Sequence, residues 1–189
     1  MGGLTEHVFG YGSLASDLLR EGGSVAWLRG YRRTWGVAAD NAHAIPGYKQ
    51  YRLRSDGTTP RVFVAFLDLV PAQTDFVNGV VAQVDTARLA DLDLRERNYD
   101  RVDVTAAVDS SVEGRVWTYV GSPSGRSRLA EGASGGRLAI SRDYVESVHA
   151  AFRQLGDNHY DDFLVSADMD GLPVLDLERT DIPPEEAIR

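Results

Sequence analysis

The chain has 189 residues, a formal net charge of −8, 43% hydrophobic and 25% charged residues, and no cysteine. It is long enough for one domain, spanning 1–189, to bury a core without staples, and its composition is that of a soluble globular protein. Disulfides, a thiol nucleophile and cysteine-based metal sites are excluded, and the negative charge argues against general binding to nucleic acid.

The first stretch with chemical content is His7-Val8-Phe9-Gly10-Tyr11-Gly12-Ser13-Leu14. It reads as a short strand running into a tight turn, followed by a helix over 15–20. Such a turn points several backbone N–H groups one way, and a nest of this kind suits a phosphate, a carboxylate or a developing oxyanion. Gly12 allows close approach because it has no Cβ.

After a loop at 21–24, Val25 to Val37 reads as a strand with Trp27, Tyr31 and Trp35 on it. Residues 38–47 read as loop. Tyr51-Arg52-Leu53-Arg54 and Arg61 to Leu67 suggest a hairpin across Asp56-Gly57, with Pro71 ending its second strand. Residues 76–84 form another strand, buried on both faces for much of its length.

The period then changes. Asp85 is a good N-cap, and the helix after it puts Leu89, Leu92 and Glu96 along one face. A carboxylate aimed partly inward loses solvation unless something uses it. The alternative is a helix-end carboxylate paired with Arg95, Arg97 or Arg101.

Residues 99–108 and 114–120 read as a second hairpin, and the Ser-, Gly- and Arg-rich piece 121–136 as a flexible surface loop. Ser141 caps a helix over 142–155, with Tyr144, Val145, Val148, Ala151, Phe152 and Leu155 on its apolar side, ended by Gly156. A further helical turn is expected over 160–166. The acidic tail, 167–189, is expected to pack loosely or fray. Together the elements predict an α+β fold: a mainly antiparallel sheet, able to close into a barrel, flanked by a few helices.

No apolar run reaches membrane-spanning length and the N-terminus has no signal-like region, so a cytoplasmic location without membrane attachment is expected. Histidines 7, 43, 149 and 159 are scattered without metal-ligand spacing. His43 and His149 are expected to be structural or surface residues. Lys49 is the single lysine, which takes a catalytic lysine out of consideration. The Gly-x-Ser-x-Gly elbow of serine hydrolases is absent, so Ser13 is not expected to be a nucleophile. Asp93 is expected to face solvent or cap locally.

Four segments in order, Tyr11-Gly12-Ser13-Leu14, Gly79-Val80-Val81, Leu92-Asp93-Leu94-Arg95-Glu96 with Tyr99 following, and Trp117-Thr118-Tyr119-Val120, resemble the gamma-glutamyl cyclotransferase-like superfamily. The resemblance covers roughly residues 7–155. The Tyr-Gly-Ser-Leu and Leu-Asp-x-Arg-Glu forms look most like its glutathione-directed branch. It implies a small β-barrel with one cavity, and enzymes that cyclise a gamma-glutamyl amide or peptide to 5-oxoproline with release of a free amine. Carried over, Tyr11, Gly12, Ser13 and Leu14 bind the gamma-glutamyl group, Glu96 is the catalytic acid/base, and Tyr119 lines the cavity. The partner implied is a small gamma-glutamyl molecule, with no nucleic acid or membrane; a homodimer stays open, and neither cofactor nor metal is called for. The different-class alternative is a non-catalytic domain that binds a small molecule on the same fold.

The residue types suit that chemistry. The substrate amine must lose a proton to attack its own γ-carbonyl, and the departing nitrogen must gain one; one carboxylate can do both. Aimed N–H donors at 12–14 can hold the oxyanion, at about 3 kcal/mol each, or the substrate's α-carboxylate. Two departures bear on the substrate. Many relatives have a glycine between the glutamate and the following tyrosine, where this chain has Arg97-Asn98, and residues 38–60 form a longer stretch that could shape or cover the cavity.

Overall fold

A computed structural model describes residues 5–167 and 171–183. Its elements are β1 (Glu6–Gly10), α1 (Leu14–Arg20), β2 (Ser24–Asp40), β3 (Lys49–Leu53), β4 (Phe63–Val84), α2 (Thr86–Arg95), β5 (Tyr99–Asp103), β6 (Val108–Asp109), β7 (Arg115–Gly121), α3 (Pro123–Ser134), β8 (Leu138–Ser141), α4 (Arg142–Gln154), α5 (Asp157–Ser166), β9 (Val174–Leu175) and β10 (Leu177–Asp181).

The spine is the long antiparallel pair β2–β4, from Ser24 opposite Val81 to Asp40 opposite Phe63. Pro71 does not end a strand, as expected from sequence, but sits within β4 opposite Tyr31, beside a register shift between Arg29 and Tyr31. Gly30 takes φ 79° there, a conformation other residues avoid. The missing N–H of Pro71 is tolerated because the ladder is already interrupted.

β1 is wedged between β4, antiparallel with Phe9 opposite Val81, and β7, parallel with Val8 opposite Trp117. Gly79 makes this possible: a Cβ there would lie 2.4 Å from the Gly10 carbonyl oxygen and 2.6 Å from Phe9 Cζ. The main sheet runs β5-β7-β1-β4-β2-β6, with β8 and β9 attached at the β4 edge. It curls into a half-barrel with five helices about it. The expected α+β class holds, and the described path ends at β5 and β6 without closing. Val8, Phe9, Leu18, Leu28, Leu67, Leu92 and Phe152 are fully buried in its main core.

Three further expectations need correction. The supposed loop 121–136 is largely α3, begun by Ser122, whose side chain accepts from Gly125 N, with Pro123 at the first turn. Its glycines mark close packing: a Cβ on Gly125 would lie 2.6 Å from Asn98 O, and one on Gly132 2.7 Å from Leu138 and 2.8 Å from Phe63. The turn at Asp56-Gly57 forms, with Leu53 N donating to Thr58 O at 2.8 Å, but β3 pairs with β10 rather than β4. Asn41 supplies Tyr51 with side-chain partners instead, accepting from Tyr51 N at 2.7 Å and donating to its carbonyl at 2.9 Å.

The third correction concerns the tail. β10 lies antiparallel to β3 with Lys49 opposite Asp181, and β9 runs parallel to β8. Leu177 is fully buried in a second core with Val37, Tyr51, Val64 and Phe66. Residues 168–170 and 184–189 of the predicted tail lie outside the described residues. Replacing Leu177 with Ala is expected to cost about 2–5 kcal/mol in chemical denaturation, as for a core leucine. A loss below about 0.5 kcal/mol, the size of a surface change, would contradict this packing.

Candidate active site

The loop between β1 and α1 turns sharply because nothing stands between them. A Cβ on Gly10 would lie 2.9 Å from both Ala15 N and Leu18 Cδ1. The carbonyls of Gly12 and Ser13 accept from Ala15 N (3.0 Å) and Ser16 N (3.2 Å), which starts the helix. Among the described residues, nothing accepts from the N–H groups of Gly12, Ser13 or Leu14. The nest expected from sequence therefore has free donors.

Tyr11 braces this loop rather than opening into it. Its hydroxyl donates to Tyr119 O at 2.7 Å and its carbonyl accepts from Arg33 Nε at 2.9 Å. Arg33 is 2% exposed. It also donates to Asn78 O (2.6 Å) and Ser166 Oγ (2.5 Å), and sits 4.8 Å and 5.0 Å from the ring centroids of Phe152 and Phe163. Among the described residues no carboxylate pairs with it, and burial lowers its pKa to about 9.

Glu96 arrives from the other side. Asp85 caps α2 by accepting from Arg88 N at 2.7 Å, and Leu89 and Leu92 are buried in the core. Glu96 is the first residue past the helix; its N–H donates to Leu92 O (2.8 Å) and its carbonyl accepts from Tyr99 N (2.9 Å). Its side chain is 17% exposed, with Oε1 3.1 Å from Arg95 Nε. Of the three arginines considered from sequence, only Arg95 pairs with it. Arg97 donates to Leu94 O, and Arg101 pairs with Asp93 at 3.2 Å. Arg95 also bonds Asp17 of α1. Burial opposes the Arg95 charge, but Glu96 and Asp17 outweigh it and hold the guanidinium above its ordinary pKa.

These pieces meet at a small alcove of about 30 Å³. Tyr11, Gly12, Ser13, Leu14, Glu96 and Tyr119, all six residues singled out from sequence, line it. Tyr119 is 4% exposed, and its hydroxyl donates to Asp93 Oδ1 at 2.8 Å, so Asp93 does more than face solvent. Burial, aided by that bond, pushes the Tyr119 phenol up. Tyr11, Tyr99 and Tyr144 are pushed up by burial as well, which keeps them neutral donors. Among the described residues, Glu96 is the only carboxylate in the lining.

Sequence reasoning missed Tyr144, which looked like one more apolar position on α4. Its hydroxyl accepts from Leu67 N at 3.3 Å and would lie 3.2 Å from a Cβ on Gly12, so Gly12 makes room for this phenol. Tyr99 joins by donating to Leu67 O at 2.7 Å. Ser13, Glu96, Tyr99 and Tyr144 are shared with an outer cleft of about 720 Å³. Gly47, Tyr48, Lys49 and Tyr51 from the 38–60 stretch, and Leu177, Arg179 and Asp181 from β10, line that cleft. His43 is exposed beside Asp40, and His149 bonds the Tyr160 hydroxyl at 2.7 Å, both outside the site.

The family described as "Gamma-glutamyl cyclotransferase, AIG2-like" matches residues 8–137. The chain belongs to this family. In fold it is similar to YkqA from Bacillus subtilis, with TM-score 0.57, 14% identity, and 90% of this chain covered. It spans only 56% of that chain's length. It is also similar to the uncharacterized protein loc79017 from Homo sapiens, with TM-score 0.52, 15% identity, and 97% and 96% of the two chains covered. No curated protein matches it significantly in sequence. No described helix is long and apolar enough to cross a membrane.

The Arg97-Asn98 departure has a local cause. Asn98 is 4% exposed; its carbonyl accepts from Ser122 N (2.9 Å) and Ser122 Oγ (3.0 Å), and its Oδ1 from Arg128 at 2.7 Å. The turn that carries Glu96 is thus pinned to α3. Replacing Arg33 with Met leaves the carbonyls of Tyr11 and Asn78 without this donor. The expected loss is at least about 1–3 kcal/mol, read by denaturant titration, and the unchanged stability of an ordinary surface arginine would refute the brace.

Proposed function

We propose that this chain is a gamma-glutamyl cyclotransferase that closes a gamma-glutamyl amide or peptide to 5-oxoproline and releases a free amine. The observation that carries this reading is the meeting of one carboxylate, Glu96, with the free N–H groups of Gly12, Ser13 and Leu14 around one alcove. Glu96 takes a proton from the substrate's α-amine as the nitrogen attacks the γ-carbonyl carbon. The ring C–N bond forms, and negative charge grows on the carbonyl oxygen, which the loop N–H groups receive. The amide C–N bond then breaks, and Glu96 returns the proton to the departing nitrogen. Atoms and charge balance without water or a redox partner.

Cyclisation is intramolecular, so the protein's task is to hold the folded-back conformer. Leu14 and the neutral rings of Tyr11, Tyr99, Tyr119 and Tyr144 give the alcove fixed walls that suit this. Arg95 positions Glu96 by engaging one of its oxygens, leaving Oε2 without a partner among the described residues.

The test is to incubate the protein with glutathione, gamma-glutamyl amino acids and gamma-glutamyl amines, and to detect 5-oxoproline. Replacing Glu96 with Gln should leave the melting temperature and ligand binding intact while turnover falls by about 10²–10⁴-fold. Full activity in that variant removes Glu96 from the reaction. Binding without product from any compound favours a non-catalytic binding domain.

A further inference from the structure

Lys49 is the single lysine of the chain, and it stands in the wall of the outer cleft at the start of β3. Its ammonium lies over the ring of Phe66, 4.1 Å from the centroid, and 5.7 Å from that of Tyr48. The other charges lining the cleft are matched. Arg95 is bonded to Asp17 and Glu96, Arg179 to Asp181 at 2.7 Å, and Asp143 to Arg54 at 2.6 Å. Among the described residues, no carboxylate oxygen comes within 4.0 Å of Lys49 Nζ. A cation packed on aromatic rings with no carboxylate in contact has lost water and gained the rings' quadrupole and only the more distant charges of Glu96 and Asp181. An anionic group on a ligand would complete it.

The position says which part of a ligand that is. Phe66 stands edge to face against Tyr144, with centroids 5.1 Å apart, and Tyr144 is shared by cleft and alcove. Lys49 lies beyond these rings from the loop N–H groups and lines the cleft but not the alcove. A gamma-glutamyl group with its carbonyl at the loop and its amine at Glu96 sits where the cleft opens on the alcove, against the shared residues Ser13, Glu96 and Tyr144. What reaches toward Lys49 is the amine half. We infer that Lys49 recognises a carboxylate on that amine half, so that the cleft selects gamma-glutamyl conjugates of amino acids or peptides over those of uncharged or cationic amines. The assignment of Lys49 to the amine half rests on the cyclotransferase reading; the anion site itself does not.

The surroundings of Lys49 add a pH signature. Burial lowers its pKa to about 8; Glu96 at the end of α2 and Asp181 on β10 oppose this, while Arg179 on β10 and Arg95 on α2 reinforce it. Tyr48 on its own segment and Tyr144 on α4 are kept neutral by burial. The ammonium is present below about 8 and lost above it, so preference for an anionic group should decline as pH rises through that value.

The experiment uses the full chain and a matched pair, gamma-glutamylglycine and gamma-glutamylglycinamide, which differ in one carboxylate. At pH 7, kcat/KM should favour the acid by about tenfold or more, the size of one charge-assisted hydrogen bond. Lys49→Met should bring the ratio to within about twofold, mainly through KM of the acid, while Lys49→Arg keeps most of it. The wild-type ratio should fall between pH 7 and pH 9. A wild-type ratio near one, or a Lys49→Met loss equal for both substrates, overturns the inference; the second result would place the glutamyl α-carboxylate at Lys49. Should Lys49→Met fail to fold, the Arg variant and the wild-type pH profile decide. If neither substrate yields 5-oxoproline, calorimetric binding of the same pair separates the two ideas. Tighter binding of the acid, lost in Lys49→Met, upholds the anion site and, where the wider panel of gamma-glutamyl compounds also gives no product, defeats the cyclotransferase reading, whereas equal binding or none defeats the anion site.

Discussion

Arg33 Nε donates to the carbonyl of Tyr11, and the rest of the candidate site depends on that bond. The same guanidinium reaches Asn78 on β4 and Ser166 at the end of α5, and lies against the rings of Phe152 and Phe163. One buried cation thus ties the β1–α1 loop to the β2–β4 spine and to the two C-terminal helices. Neutral acceptors and aromatic faces satisfy it where a carboxylate would otherwise be expected. Tyr11 passes the constraint on through its hydroxyl to Tyr119 O, so the loop and β7 hold a common position.

The site is divided by polarity and depth. Among the described residues, its inner end has phenols held neutral by burial, three free backbone donors and a single carboxylate. Its outer part carries charges that mostly neutralise one another, with Lys49 as the exception. Such a division suits a ligand whose reacting part sits in low dielectric, where aimed dipoles act strongly. The walls have different origins. The inner end comes from β1, the β1–α1 loop, β4, the end of α2, β5 and β7, all within the segment that matches the family, with Tyr144 of α4 added from beyond it. The outer cleft depends on β3 and β10, and β10 lies beyond that segment.

What could be read from residues alone was local. A strand, a glycine-flanked turn and a helix start are contiguous at 6–20, and the period change after Asp85 places Glu96 at a helix end whose apolar face is buried. What was misread was also local, in the other direction. The serine- and glycine-rich stretch 121–136 suggested loop by composition, yet Gly125 and Gly132 are small because α3 packs closely on Asn98, Phe63 and Leu138. The Ser122-Pro123 pair was the available signal for that helix. Tyr144 carried none, since an aromatic at helical spacing looks the same whether its hydroxyl meets solvent, core or a functional loop.

The sequence by itself determined the α+β class, the loop at 11–14, the helix that delivers Glu96 and membership of a family, because each rests on neighbours in the chain or on an ordered set of short motifs. The tertiary structure alone decided that Asp181 faces Lys49, that Arg33 braces Tyr11, and that Tyr144 closes over Gly12. Those contacts join residues far apart in sequence through register and burial. Periodicity reports which face of an element is apolar; it carries no information about which distant group that face will meet.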